Sequence, residues 1–202
     1  MIKIHKKSDT VIIVIHEIYG INQHMKDIYQ SLSKSGFDVV CPNLLEREIH
    51  FEYAQEEEAY QNFMGNVGFR MASKKIKNLI LELKDTYNKI FIVGYSVGAT
   101  IAWLCSEEKW IDGIVGYYGS RIRNYAELSP QCPIMLFFPQ EEKSFDLKEF
   151  IPTLKKKNLE VYQFQGKHGF SDPYSPNYND KSAQTTFNKM VEFFRIYSFK
   201  QR

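Results

Sequence analysis

Between residues 90 and 98 the chain runs from the apolar tetrapeptide Ile90-Phe91-Ile92-Val93 straight into Gly94-Tyr95-Ser96-Val97-Gly98. The helix-compatible stretch Ala99-Thr100-Ile101-Ala102-Trp103-Leu104 follows at once. A serine at the junction of strand and helix, with glycine two residues away on either side, specifies a sharp, strained turn with the serine at its apex. The glycines are steric requirements, because a side chain at either place collides with the neighbouring strand or helix. The segment therefore predicts a strand–turn–helix unit that presents one hydroxyl at the end of a strand.

Three further apolar runs, residues 11–15, 113–118 and 134–138, are continuous rather than alternating. Short runs of that kind suit strands covered on both faces, as in a parallel sheet. Residues 37–41 and 160–164 are weaker strand candidates, and one weak strand fits before Val11. Helical patterns fall between them. Ile21, Met25, Ile28 and Leu32 recur at helical spacing, with Asn22 placed to cap the start and Gly36 following the end. Ala72, Ile76, Leu79, Ile80 and Leu83 form a second stripe, and Ala183, Phe187, Met190, Val191 and Phe194 a third. Each stripe reads as a core face. Residues 144–157 read as another helix with Ser144 as its cap. Strand and helix alternate throughout, which predicts one α/β domain over residues 1–202, a doubly wound, mainly parallel sheet flanked by helices. The least regular stretch, residues 46–69, carries Glu56-Glu57-Glu58. A solvated helix face is the plain expectation there, and a segment crossing over the site the functional one.

A serine hydroxyl becomes a useful nucleophile only when a neighbouring base takes its proton, and that base needs a third group to fix its tautomer. In hydrolases built on such a turn the acid and then the histidine follow the serine in the chain. His168 is the one histidine after Ser96 and follows a strand candidate, on the kind of loop where parallel sheets present functional groups. His5, His16, His24 and His50 precede the serine and read as structural or exposed. The acid should follow the run at 134–138, where Glu141, Glu142 and Asp146 are all candidates. An oxyanion needs pre-placed N–H donors. Val97 N–H follows from the turn geometry, and the second belongs in the loop Ile15-His16-Glu17-Ile18-Tyr19-Gly20. Glu17, at the end of an apolar strand, either faces solvent or lies beside the nucleophile.

In these ordered motifs the chain resembles the dienelactone hydrolase family of the α/β-hydrolase superfamily along nearly its whole length. The resemblance is carried by residues 11–22, by Val39-Val40-Cys41-Pro42-Asn43-Leu44, by the Ser96 turn, by Gly116-Tyr117-Tyr118-Gly119 and by the loop of residues 166–170. It implies an α/β-hydrolase fold with Ser96 as nucleophile, His168 as base and Glu142 in the place of the acid. It further implies that Ile18 and Val97 supply the backbone oxyanion donors, and that Glu17 is the glutamate near the nucleophile that helps govern its protonation. Three departures are visible. Serine stands where the best-known members have cysteine, glutamate where they have the triad aspartate, and the arginines that hold the substrate carboxylate have no clear counterpart. Glu56 and Asp172 fall near those arginine places, and like charges repel, so an anionic dienelactone is disfavoured as substrate.

The resemblance implies a serine hydrolase that cleaves a small carboxylic ester or lactone through an acyl-enzyme on Ser96. No cofactor or metal is needed for that chemistry, and no Cys/His spacing resembles a metal site. Tyr19, Tyr60 and Tyr118 are expected near the pocket mouth. The competing readings are a protein of the same fold that binds a small molecule or partner without turnover, and thioesterase or peptidase activity on the same three residues. A net charge of +2 gives no argument for nucleic acid or an anionic membrane. No run approaches a membrane-spanning length, and the N-terminal residues lack the apolar core of a signal peptide. The scattered Cys41, Cys105 and Cys132 read as free thiols in a reducing cytoplasm. None of these features sets an oligomeric state.

Overall fold

The continuous apolar runs form the middle of a parallel sheet. The computed structural model describes residues 2–142, 145–157 and 159–200. Its strands are β1 (Ile2–Ile4), β2 (Thr10–Ile15), β3 (Asp38–Cys41), β4 (Lys89–Tyr95), β5 (Gly113–Tyr117), β6 (Ile134–Glu141) and β7 (Glu160–Lys167). They form one sheet in the order β1-β3-β2-β4-β5-β6-β7, antiparallel only where β1 meets β3. Every residue of β2 and β5 is buried, because helices cover both faces of the sheet and no position alternates toward water. The strand β7 lies at the sheet edge and is only half-buried along its length, which is why its run of hydrophobicity is the weaker signal.

Among the described residues, six α-helices pack on the two faces: α1 (Gln23–Lys34), α2 (Glu56–Asn62), α3 (Gly68–Leu83), α4 (Val97–Leu104), α5 (Leu147–Lys155) and α6 (Asp180–Ser198). On one side, Met25 and Leu32 of α1 and Met190, Val191 and Phe194 of α6 share a core with Ile12, Phe91 and Val115. On the other, Ala72, Ile76 and Ile80 of α3, Ile101 of α4 and Phe150 of α5 pack with Ile13, Ile92 and Ile114. Odd and even positions of the same strands thus feed opposite cores, the pattern of a doubly wound sheet.

The sequence cues at the ends of α1 and α6 act as caps. Asn22 accepts from Met25 N at 3.1 Å and starts α1, and Gly36 beyond its end has φ +98°. Asn179 accepts from Ser182 N at 3.0 Å and starts α6. The helix expected from residue 144 begins instead at Leu147, capped by Asp146, which accepts from Lys148 N at 2.7 Å; Ser144 lies outside the described residues. β6 runs on to Glu141, past the apolar run at 134–138, because its polar end still pairs with β7. Among the described residues, no helix is long and apolar enough to cross a membrane.

Candidate active site

The chain leaves β2 to build β3 on one side and returns to build β4 on the other, so the strand order reverses between β2 and β4. A crevice at the carboxyl ends of the strands belongs at such a reversal. Ser96 sits there, between the end of β4 at Tyr95 and the start of α4 at Val97. Its backbone has φ 52° and ψ −112°, a conformation that costs a non-glycine residue about 1–3 kcal/mol. Close packing on both sides holds it there. A Cβ on Gly94 would lie 2.2 Å from Gly98 O, and a Cβ on Gly98 would lie 2.3 Å from Ile15 O. Neither backbone atom has room to retreat. Ser96 N also donates to Tyr117 O at 3.0 Å, which ties the turn to β5.

His168 arrives from the far edge of the sheet. Between the pairs Pro139–Phe164 and Glu141–Lys167, β6 advances two residues while β7 advances three, a bulge that re-aims the residues beyond it. Gly166, at φ +127°, takes the bend. Asn177 Nδ2 then donates to His168 O at 2.8 Å, and the imidazole packs on the Tyr118 ring with centroids 4.8 Å apart. His168 Nε2 lies 2.9 Å from Ser96 Oγ, and its Nδ1 lies 3.0 Å from Glu142 Oε2. With Nδ1–H given to the carboxylate, Nε2 is left to accept the serine proton. The Glu142 side chain is 5% exposed and that of His168 37%. The other two carboxylates lie elsewhere. Glu141 points to solvent, 3.9 Å from Lys167, and Asp146 is occupied as the α5 cap.

A cavity of about 620 Å³ opens in front of Ser96. Ile18, on the loop after β2, and Val97, the first residue of α4, border it. The first N–H of a helix has no intrahelical acceptor, which leaves Val97 N–H available at the start of α4. Tyr19 and Tyr60 also line the cavity, Tyr60 from α2 beside Glu56. The acidic helix thus borders the site through Glu56, while Glu57 and Glu58 are exposed. Tyr118 is the departure from expectation. It is wholly buried rather than at the mouth, because its φ of 41° just beyond β5 turns it beneath His168, where its hydroxyl meets Ser171 Oγ at 3.0 Å.

The wall of the cavity is polarised. Glu17 is buried, and its carboxyl is pushed up to about 7 by burial, then by the charge of Asp172, against the opposing pull of His168 and of a hydrogen bond from Tyr118. Tyr53 donates to Asp172 Oδ2 at 2.5 Å and itself accepts from Asn22 Nδ2 at 3.0 Å. His24, expected to be structural or exposed, is buried with its Nδ1 3.6 Å from Asp172 Oδ2. Burial lowers its pKa, more than the nearby charge of Asp172 raises it. Arg121 and Arg123 also line the cavity, from the 3₁₀ turn Ser120–Tyr125. Arg121 Nη2 donates to Tyr60 Oη at 2.9 Å. Sequence reasoning passed over both arginines; the available signal was an Arg-x-Arg one residue after the Gly116–Gly119 motif.

Comparison with known proteins agrees with this architecture. The model of the dienelactone hydrolase family matches residues 2–198. The uncharacterized protein YczH of Bacillus subtilis is 41% identical over 172 residues, covering 84% of each chain. Carboxymethylenebutenolidase 1 of Cupriavidus pinatubonensis is 24% identical, over 90% of this chain and 83% of its own. A solved Klebsiella pneumoniae structure, provisionally described as a dienelactone hydrolase, superposes with a TM-score of 0.76 at 17% identity, over 92% of this chain and 86% of its own. A sheet that reverses at β2 and β4, a serine on a glycine-flanked turn there, and a family match over almost every residue lead to one assignment: this chain belongs to the dienelactone hydrolase family, in the α/β-hydrolase fold.

Proposed function

We propose that the protein is a serine hydrolase that cleaves a small carboxylic ester or lactone through an acyl-enzyme on Ser96. The observation that carries this reading is the continuous line Ser96 Oγ–His168 Nε2, 2.9 Å, and His168 Nδ1–Glu142 Oε2, 3.0 Å. His168 takes the Ser96 proton as Oγ attacks the substrate carbonyl, and Glu142 stabilises the imidazolium that forms. Ile18 and Val97 N–H groups hold the oxyanion. His168 then hands the proton to the departing alcohol, or to the ring oxygen of a lactone. It next deprotonates the water that releases the acid from Ser96. Glu17 shapes the charge of the cavity rather than accepting the serine proton, since His168 already holds that hydrogen bond.

The cavity volume of about 620 Å³ suits a small molecule. Glu17, Glu56 and Asp172 disfavour an anionic group on their side, and any substrate carboxylate would turn toward Arg121 and Arg123. Cys41, Cys105 and Cys132 are all free thiols, which fits a reducing cytoplasm. A carboxylate within reach of His168 argues against a binding protein without turnover. Thioesterase and peptidase activities use the same residues and differ only in leaving group, so they belong in the same substrate screen.

The test is intact-mass analysis after incubation with a fluorophosphonate, followed by peptide mapping and a screen of esters, lactones and thioesters. One adduct on Ser96, absent in Ser96→Ala together with all turnover, is the expected result. A Ser96→Ala protein with unchanged turnover would overturn the mechanism.

A further inference from the structure

Behind the catalytic residues, three side chains from distant parts of the chain meet. Glu17 follows β2, His24 lies in the first turn of α1, and Asp172 lies in the loop between β7 and α6. Each offers one ligand-type atom, and the three atoms lie within 4.8 Å of one another. His24 Nδ1 and Asp172 Oδ2 are already 3.6 Å apart, and both side chains are 1% exposed. Neither nitrogen of His24 has a hydrogen-bond partner, and neither does Glu17 Oε1. A buried polar atom without a partner costs about 1–3 kcal/mol, and three in one spot call for a bound group that satisfies them.

We propose that Glu17, His24 and Asp172 form a binding site for a divalent transition-metal ion of the zinc class. One imidazole and two carboxylates are the nitrogen and oxygen donors that such ions take. Two negative charges facing each other are compensated by a doubly charged cation. Metal–ligand bonds of about 2.0–2.2 Å in a tetrahedral site place ligand atoms about 3.4 Å apart. The His24–Asp172 pair, 3.6 Å apart, is near that separation now, and the Glu17 oxygen lies within 4.8 Å of both. The Asp172 carboxylate is braced as metal ligands commonly are. Tyr53 donates to Asp172 Oδ2 and Tyr174 N donates to Asp172 Oδ1 at 2.9 Å. The His24 ring is held edge-on against Tyr95, centroids 5.1 Å apart. Glu17 and Asp172 line the catalytic cavity, which supplies the entry path and leaves the fourth position open to water or a ligand. The site does not depend on the role proposed for Ser96.

The experiment is titration of chelator-stripped wild-type protein with Zn²⁺ against a fluorescent zinc indicator, with Co²⁺ absorption spectra recorded in parallel. The expected result is about one equivalent bound below about 100 μM metal, weakened at least about tenfold in both His24→Gln and Asp172→Asn. Ser96→Ala should bind like wild type. Co²⁺ should give the intense visible bands of a tetrahedral site in the wild-type protein, a readout that stands even where a variant fails to fold. No binding by wild-type protein, a loss below tenfold in either folded variant, or a Co²⁺ spectrum identical to that of the aqua ion would overturn the proposal. Buried water or a shared proton would then be what occupies the cluster.

Discussion

Replacing Glu142 by glutamine removes one charge and almost no volume, so it isolates what the carboxylate does for His168. The separation of 3.0 Å between Glu142 Oε2 and His168 Nδ1 sets the magnitude. Two unit charges at that distance attract by about 1.4 kcal/mol in water and about 5.5 kcal/mol at an effective dielectric of about 20. With the Glu142 side chain 5% exposed and His168 37% exposed, the interaction falls between these limits, at about 3–4 kcal/mol. The imidazolium exists only while the serine proton is on His168, so that energy is lost mainly from the transition state. Glu142→Gln should therefore slow acylation about 10²–10³-fold. If the amide turns its NH₂ toward Nδ1, the histidine is forced into the wrong tautomer and the loss grows toward 10⁴-fold. The rate of fluorophosphonate labelling at Ser96, followed by intact mass, measures this without knowledge of the substrate. Glu141→Gln is the matched control, because Glu141 points to solvent and lies 3.9 Å from Lys167; it should change the rate less than about twofold. A Glu142→Gln protein labelling at more than half the wild-type rate, or a larger loss in Glu141→Gln, would refute the assignment of the acid.

Two other predictions concern stability. Gly98→Ala places a Cβ 2.3 Å from Ile15 O and 2.7 Å from His16 O, backbone atoms at and just beyond the end of β2, and should cost at least about 3 kcal/mol; urea denaturation showing a loss below 1 kcal/mol would contradict the steric reading of the turn. Asp38 is pushed up by burial, but hydrogen bonds from Lys6 N, Ser8 N, Tyr87 and His5 outweigh that and hold its carboxyl below its ordinary value of 3.8. A folded pKa below the unfolded one stabilises the protein above the unfolded pKa and is lost as pH falls through the folded pKa. The advantage of wild type over Asp38→Asn, about 1–3 kcal/mol at pH 7, should then shrink below about pH 4; a gap in denaturation free energy that stays constant to pH 3 would remove Asp38 from that role.

Much of this protein was readable along the chain because the relevant physics is local. Continuous apolar runs need cover on both faces, so residues 11–15 and 90–93 had to be central strands. A serine between Gly94 and Gly98 at a strand end had to be a tight turn, since no larger residue fits against Gly98 O or Ile15 O. Asn22 had to cap α1. The edge strand β7 and the late start of α5 were blurred for the same reason: half-exposed positions carry weak patterns, and polar caps compete within a few residues. What only the tertiary structure decided is proximity across long sequence separations. Three carboxylates within six residues were chemically equivalent along the chain, and the bulge in β7 that aims His168 decided that Glu142 faces it. The same closure sank Tyr118 beneath the imidazole and brought Arg121 and Arg123 to the cavity. It also buried Glu17, His24 and Asp172 together, because a doubly wound sheet gathers the ends of separate strands at its point of reversal, and no spacing within one segment records which of them will meet.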